Sequence, residues 1–337
     1  MIISVYDKMD LYVYQKHLRR AVLQKRIMLI INPKAGRGRY KVEIPHILEV
    51  LCEAGAMVSI YMTQHPGHAT ELAATHATDY DICACLGGDG TLGETIAGLM
   101  ALDRRPPVGY IPMGTTNDVA ATLGLPRDST RAAEVFLHNH PIPVDVGLFQ
   151  DNYFTYIAAF GAFTEVAYQT PGENKQVLGH LAYVLEGLGR LSKITPRKLS
   201  VEYDKGGRIA GEFIFGGVTN TTSIAGMLKL RPDLVDLGDG VFELILVKNP
   251  QSLLELNAIF MDIATQKYDS EYVQIIKAKE IRFQFEEHVP WTRDGEDGGS
   301  HREVTLRVAH PGVQIFVPDE KKWQPQPSRG MSLGEWV

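Results

Sequence analysis

Residues 87–91, GGDGT, set a carboxylate among glycines directly after the apolar run YDICACL (Tyr80 to Leu86). Glycines at such a turn let backbone N–H groups approach phosphate oxygens. The stretch from Gly88 to Gly93 also matches the G-x-G-x-x-G pattern of a dinucleotide turn. Two features argue against a nicotinamide site: Asp89 would set its carboxylate against a pyrophosphate, and no acid ends the next strand candidate, VGYIPM (Val108 to Met113), to hold a ribose. A carboxylate beside phosphates makes chemical sense with a cation between them, so the pattern points to a magnesium-bound polyphosphate. Two further glycine-rich turns, NPKAGRG (Asn32 to Gly38) and PMGTTND (Pro112 to Asp118), also follow strand candidates. Thr91-x-x-Glu94 and Thr115-x-x-Asp118 read as capping boxes that start helices with their positive ends toward the same place. Tight-loop geometry explains any one of the three turns by itself. Three at one sheet edge point to a shared polyphosphate cradle, and the missing G-x-x-x-x-G-K-[ST] excludes a P-loop.

Other residues have types that could do chemistry. Asp294 and Glu296 lie in WTRDGEDGGS, between IRFQFE and VTLRVA, and on spacing alone this is an ordinary Asp-Gly hairpin turn. Asp233, Asp236 and Asp239 in RPDLVDLGDG are hard oxygen donors close in sequence, as a magnesium site needs, although acids in loops are commonly solvated turn residues. His65 and His68 in HPGHA could ligate a metal, but a turn preceding a helix explains them at least as well, and neither is assigned.

The elements that must position these residues divide the chain. Residues 26–144 alternate short apolar strands with amphipathic helices, a βαβα series that implies a parallel sheet with helices on both faces. Beyond about Pro143 to Asp145 the pattern becomes period-two alternation around glycine-rich turns, so residues 145–317 are expected to be mostly antiparallel β. Two helices interrupt them, near KQVLGHLAYVLEGLGRL and SLLELNAIFMDIATQ. Residues 1–25 are expected to form a leader helix, with Leu11, Tyr14 and Leu18 on one stripe and Lys16, Arg19, Arg20, Lys25 and Arg26 nearby. Residues 318–337 form a polar tail expected to be disordered. Across 337 residues, 45% are hydrophobic and 22% charged, ordinary values for about two globular domains. A net charge of -6 gives no bulk attraction to nucleic acid or anionic membrane, so any membrane contact must be local. Arg190, Lys193, Arg197 and Lys198 form a basic patch suited to that. Cys52, Cys83 and Cys85 are odd in number, sit in apolar segments and lack metal spacing, which suits reduced thiols in the cytoplasm. No run reaches the ~18 apolar residues of a spanning helix, and Asp7, Lys8 and Asp10 interrupt the place of a signal peptide's apolar region.

In order along the chain, NPKAGRG, GGDGT, IPMGTTNDVA, TNTTSIAG, RPDLVDLGDG and WTRDGE resemble the diacylglycerol kinase catalytic-domain family, most closely its soluble bacterial members, from about Ile27 to Val317. GGDGT alone is shared with NAD kinases, whereas the six together are strongly specific. The resemblance implies an N-terminal α/β nucleotide-binding domain with a parallel sheet, a C-terminal β-sandwich, and ATP in the cleft between them. It implies that Asp89 belongs to a Mg²⁺-ATP site with Asn32, Thr63, Gly88, Gly90, Thr91, Gly114 and Thr115 around the nucleotide. It makes Asp294 the general base, assisted by Glu296, and Asp233 and Asp239 ligands of a structural Mg²⁺, with Asp236 a further candidate. Gly93 departs from the family, which usually has Asn there. The implied reaction is phosphorylation of diacylglycerol or a related lipid alcohol by ATP, at the cytoplasmic face of an anionic membrane, with a homodimer as one open assembly and no nucleic acid partner. Two alternatives remain open at this point: a soluble NAD kinase, and a non-catalytic lipid- or nucleotide-binding protein on the same fold.

Overall fold

The computed structural model describes residues 25–162, 195–204, 206–224, 228–268 and 270–319. The leader helix, the helix expected near 175–191, Arg190, Lys193 and nearly all of the tail lie outside the described residues.

Four strands follow from the first apolar runs: β1 (Arg26–Ile31), β2 (Met57–Met62), β3 (Ile82–Gly87) and β4 (Val108–Pro112). They pair in parallel in the order β2-β1-β3-β4. β1 beyond Arg26, β3 and β4 are buried along their lengths, which is why their sequences are apolar without alternation. The connecting helices are α1 (Tyr40–Glu53), α2 (His68–His76) and α3 (Asp89–Met100), and α4 (Asp118–Leu123) and α5 (Ser129–His138) follow β4. α1 turns Ile47 and Leu51 inward, and α5 turns Ala132, Ala133 and Phe136 inward, the three-to-four spacing of a helix lying on a sheet.

The second half is antiparallel. It contains β5 (Pro141–Phe149), β6 (Asn152–Phe154), β7 (Ile157–Gly161), β8 (Arg197–Tyr203), β9 (Gly207–Thr219), β12 (Phe242–Lys248), β13 (Val273–Ala278), β14 (Glu280–Arg293) and β15 (Glu296–Phe316), with a small ribbon of β10 (Ser223–Ile224) and β11 (Leu228–Lys229). A sixth helix, α6 (Leu253–Thr265), is capped by Ser252, whose Oγ accepts from Glu255 N. Long strands β9 and β14 each pair with β8 along one stretch and with β7 along another. This closes the strands around a separate aromatic core, where Trp291 packs 5.0 Å from Phe160 and 5.1 Å from Phe283 between ring centroids.

The whole is mixed α/β and strand-rich, and its halves are joined by hydrogen bonds. β15 pairs with β14 and β5, shifts register between Ala309 and Val313, and ends with Ile315 beside Val108 of β4, in parallel. A bulge of this kind bends a strand, here turning the chain end onto the first sheet. Val313, Ile315, Phe316 and Val317 therefore join the core that β1, β3 and β4 build. The boundary expected at 143–145 lies inside β5.

Candidate active site

The three glycine-rich turns meet at the carboxyl ends of the parallel strands. Asn32 bridges the first two: its Nδ2 donates to Thr91 Oγ1 at 3.0 Å, while its Oδ1 accepts from Lys34 N at 2.9 Å. Thr63, at the end of β2, donates its N–H to Ile31 O at 2.9 Å, which places it at the same edge. The second and third turns touch backbone to backbone. A Cβ at Gly114 would stand 2.6 Å from Gly88 Cα and 2.7 Å from Asn117 Oδ1, closer than any side chain tolerates. A Cβ at Gly36, whose φ is +61, would stand 2.6 Å from Met113 Cγ, so the first turn reaches the third as well. Thr115 is exposed on the third turn.

The helix starts differ from the capping boxes expected. α3 begins at Asp89 after Gly88, leaving Thr91 inside its first turn with its hydroxyl occupied by Asn32. Glu94 instead caps α2, accepting from Gly67 N at 2.8 Å and Ala69 N at 3.2 Å. α4 begins after Asn117, in the left-handed region, and not after Thr115. Its free amides are met by Asp89, whose Oδ2 accepts from Asp118 N at 2.9 Å and Oδ1 from Val119 N at 3.2 Å. Neither capping box forms: no side chain caps α3, and at α4 a carboxylate from another element reaches the amides first.

Asp89 is buried, and burial pushes its pKa up to about 6 against the pull of those amides. Asp118 and Asp294 add repulsion. Asp294 follows Arg293 at the end of β14 with a φ of +48. Its Oδ2 accepts from Thr155 N at 2.7 Å and Thr155 Oγ1 at 2.9 Å, and its Oδ1 from Tyr156 N at 3.0 Å and Ile157 N at 3.1 Å. Burial raises its pKa, and these four donors oppose the rise. Glu296 is exposed as a residue but its carboxylate is partly screened from water by the surrounding chain, and this desolvation, Glu94 and Asp294 raise its pKa against the pull of Arg293. Both acids face α3: a Cβ at Gly93 would lie 3.4 Å from Asp294 Oδ2, and one at Gly90 3.6 Å from Glu296 Oε1. The buried Tyr156 hydroxyl is pushed upward first by burial and then by Asp294, Asp89, Asp118 and Glu296, which records how closely these acids gather.

The fold thus brings together Asn32, Gly88, Asp89, Gly90, Thr91, Gly114, Asp294 and Glu296, with Thr63 farther along the same sheet edge and Thr115 exposed on the third turn. Sequence reasoning read Asp118 only as part of a capping box, not as a site residue whose Oδ1 accepts from Ser223 Oγ at 2.7 Å, and it missed Thr155, whose hydroxyl reaches the proposed base. The turn PMGTTND holds the first, and the motif TNTTSIAG supplies its partner Ser223; no spacing announces the second. A tight contact between the Thr122 and Thr221 hydroxyls also ties α4 to that motif.

The acidic loop does not converge. Asp233 makes a bidentate pair with Arg231 at 3.1 and 2.8 Å, Asp236 accepts from Gly238 N at 3.1 Å, and Asp239 accepts from Val241 N at 3.1 Å and Lys277 Nζ at 3.0 Å. Among the described residues their oxygens form no group of three within ligand reach. A magnesium ion held by these three side chains together does not fit this arrangement. The basic patch differs as well, since Lys198 pairs with Glu286 at 2.8 Å and Arg197 lies 3.9 Å from Glu287.

Glycine turns at the carboxyl ends of parallel strands, walled by acids, are the arrangement of an α/β protein that handles phosphate. Residues 26–149 match the diacylglycerol kinase catalytic domain. The chain is 36% identical over 302 residues to a diacylglycerol kinase of Bacillus subtilis (strain 168), covering 89% of this chain and 99% of that one. It is 35% identical over 303 residues to a diacylglycerol kinase of Staphylococcus carnosus (strain TM300), covering 89% and 97%. The crystal structure of a diacylglycerol kinase from Bacillus anthracis str. Sterne superposes with a TM-score of 0.69 at 26% identity, over 87% of this chain and 97% of that one. The chain belongs to the diacylglycerol kinase catalytic-domain family.

Proposed function

We propose that this protein is an ATP- and Mg²⁺-dependent lipid kinase that transfers the γ-phosphoryl group of ATP to the free hydroxyl of diacylglycerol, giving phosphatidic acid and ADP. The observation that carries the reading is the approach of Asp294, from the second half of the chain, to the first turns of α3, from the first half, across Gly93. Phosphoryl transfer needs a nucleotide held by backbone amides and a carboxylate aimed at the acceptor hydroxyl, and these two parts meet there.

In this reading residues 26–144 form the nucleotide domain and 145–317 the β-sandwich that carries the base. Asn32, Thr63, Gly88, Gly90, Thr91, Gly114 and Thr115 line the nucleotide. The gathered acids Asp89, Asp294 and Glu296 suit a divalent cation, because polyphosphate beside so many carboxylates would otherwise meet only repulsion. When bound, Mg²⁺ supplies charge neutralisation on the transferring phosphate. Asp294 takes the acceptor's proton as the new O–P bond forms. All four acceptor positions on its carboxylate hold a donor, so one must be released, and the Thr155 hydroxyl is the donor able to turn away. Access to a bilayer substrate in this reading is peripheral, at the inner face of the membrane; no described helix is long and apolar enough to cross it.

The test is transfer of radiolabel from ATP in parallel reactions with diacylglycerol, ceramide, sphingosine and NAD. Labelled phosphatidic acid as the dominant product supports the proposal. Label on NAD would replace it with the NAD kinase reading, and no label on any acceptor would favour a non-catalytic binding protein.

A further inference from the structure

His65, His68 and Glu71 follow β2 and open α2 at intervals of three residues, outside the set of side chains that the transfer reaction uses. One imidazole nitrogen from each histidine and a carboxylate oxygen of Glu71 all lie within 4.8 Å of one another. Among the described residues this is the group of three that meets such a distance.

The local hydrogen bonds prepare it. His65 Nδ1 lies 3.0 Å from Pro66 O, and the tautomer that donates Nδ1–H to that carbonyl leaves the Nε2 lone pair for a metal. That is the outer partner a metal-binding histidine ordinarily has. His65 Nε2 stands 4.0 Å from Glu71 Oε2. Ligands of a zinc ion each sit about 2.0–2.2 Å from it, so a small turn of the exposed Glu71 side chain closes both onto one ion. The His65 and His68 rings are stacked with centroids 4.6 Å apart and planes 19° from parallel, which keeps their edges side by side. His68 Nδ1 accepts from Gln64 N at 3.0 Å, a bond on an exposed turn that water can replace when the nitrogen takes a metal. The backbone beneath is fixed by Gly67, with a φ of +81, whose N–H and that of Ala69 are held by Glu94 of α3.

We propose that His65, His68 and Glu71 form a surface site for a divalent transition-metal ion of the Zn²⁺, Co²⁺ or Ni²⁺ type, with water in the remaining positions. Two imidazoles and one carboxylate suit these borderline ions and not Mg²⁺ or Ca²⁺, which take oxygen donors. The site is separate from the magnesium chemistry of the transfer reaction and lies just past Thr63, at the carboxyl end of β2. An ion there cross-links the 65–71 turn and stabilises the folded state, since the unfolded chain offers no such preformed set.

Titration of the full chain with Co²⁺ should give visible d–d absorption saturating at one equivalent, displaced by Zn²⁺, with a rise in Tm. His65 and Glu71 are exposed and His68 is half-buried with an exposed side-chain hydrogen bond to Gln64 N, so His65→Ala combined with His68→Ala, and separately Glu71→Gln, should keep the fold. Each should weaken Co²⁺ binding at least as much as losing an outer partner does, roughly 10- to 100-fold. His138→Ala, elsewhere on the surface, should leave it unchanged. The proposal is overturned if the wild-type chain takes up no Co²⁺ at millimolar concentration, if the double variant binds it as tightly as wild type, or if Cys52→Ser abolishes binding instead.

Discussion

Asp294 is the base in the proposed reaction, and its four hydrogen bonds change what a substitution there means. An amide in its place turns an NH₂ group toward donors of the Thr155–Ile157 backbone, so Asp294→Asn should lose stability as well as turnover. The expected losses are roughly 10²- to 10⁴-fold in kcat and about 1–3 kcal/mol from an unsatisfied donor. Labelled-phosphate transfer and denaturant unfolding measure the two separately; near-normal turnover in a folded variant would remove Asp294 as the base. Thr155 offers a finer probe, because its hydroxyl lowers the pKa of Asp294. Thr155→Val withdraws that donor, so the base should hold its proton to higher pH and the acid limb of the kcat/KM profile should move upward in pH. Thr155→Ser should restore the original limb, and an unshifted profile in the valine variant would mean that Asp294 does not titrate on the reaction path.

Among the elements, α3 and α4 show how the cradle is braced. Asp89 belongs to one helix and caps the other, and the backbone contact of Gly88 with Gly114 sets the distance between their turns. Gly114→Ala forces a methyl group into that contact. It should cost about 1–3 kcal/mol, as overpacking does, and raise KM for ATP more than KM for lipid; an unchanged KM for ATP would mean that this turn is not at the nucleotide. β12 carries a different strain. Glu243 is fully buried, neither of its oxygens has a hydrogen-bond partner, Lys277 Nζ is 3.8 Å away, and burial lifts its pKa from 4.5 to about 8. Because the folded state holds this proton more tightly than the unfolded chain, the contribution to stability is complete below pH 4.5, falls as pH rises, and is gone above about 8. Tm measured across that range should show Glu243→Gln gaining on the wild type until about pH 8 and no further. Parallel curves would show that the carboxyl is ionised when buried.

At the scale of the whole molecule, β15 joins the two halves, so the cores of both depend on one strand that begins beside the candidate base and ends beside β4. The surface is less simply charged than the sequence implies. Arg197 and Lys198 each face a glutamate of β14, so they bring little net positive charge to an anionic bilayer. Uncompensated basic residues add about 1 kcal/mol each at an anionic surface, but here a glutamate offsets each cation, so Arg197→Ala with Lys198→Ala should change sedimentation with phosphatidylglycerol vesicles by no more than about twofold. A larger loss that disappears at high salt would return these two cations to the docking surface.

The sequence by itself determined the parallel strands, the place of the three glycine turns after them, and the antiparallel second half. These rest on periodicity and on glycine's access to tight turns, which are properties of neighbouring residues. Family motifs carried Asp89, Asp294 and Glu296 into the candidate site. What only the tertiary structure decided concerns partners distant along the chain. Glu94 caps α2 and Asp89 caps α4 because those carboxylates arrive in space, whereas the local capping boxes had set Thr91 to start α3 and Thr115 to start α4. Asp233, Asp236 and Asp239 are close in sequence, yet each is taken by a different neighbour, one of them Lys277 on another strand. Thr155 reaches Asp294 across 139 residues. A hydrogen bond forms where donor and acceptor meet, and only the completed fold fixes that meeting.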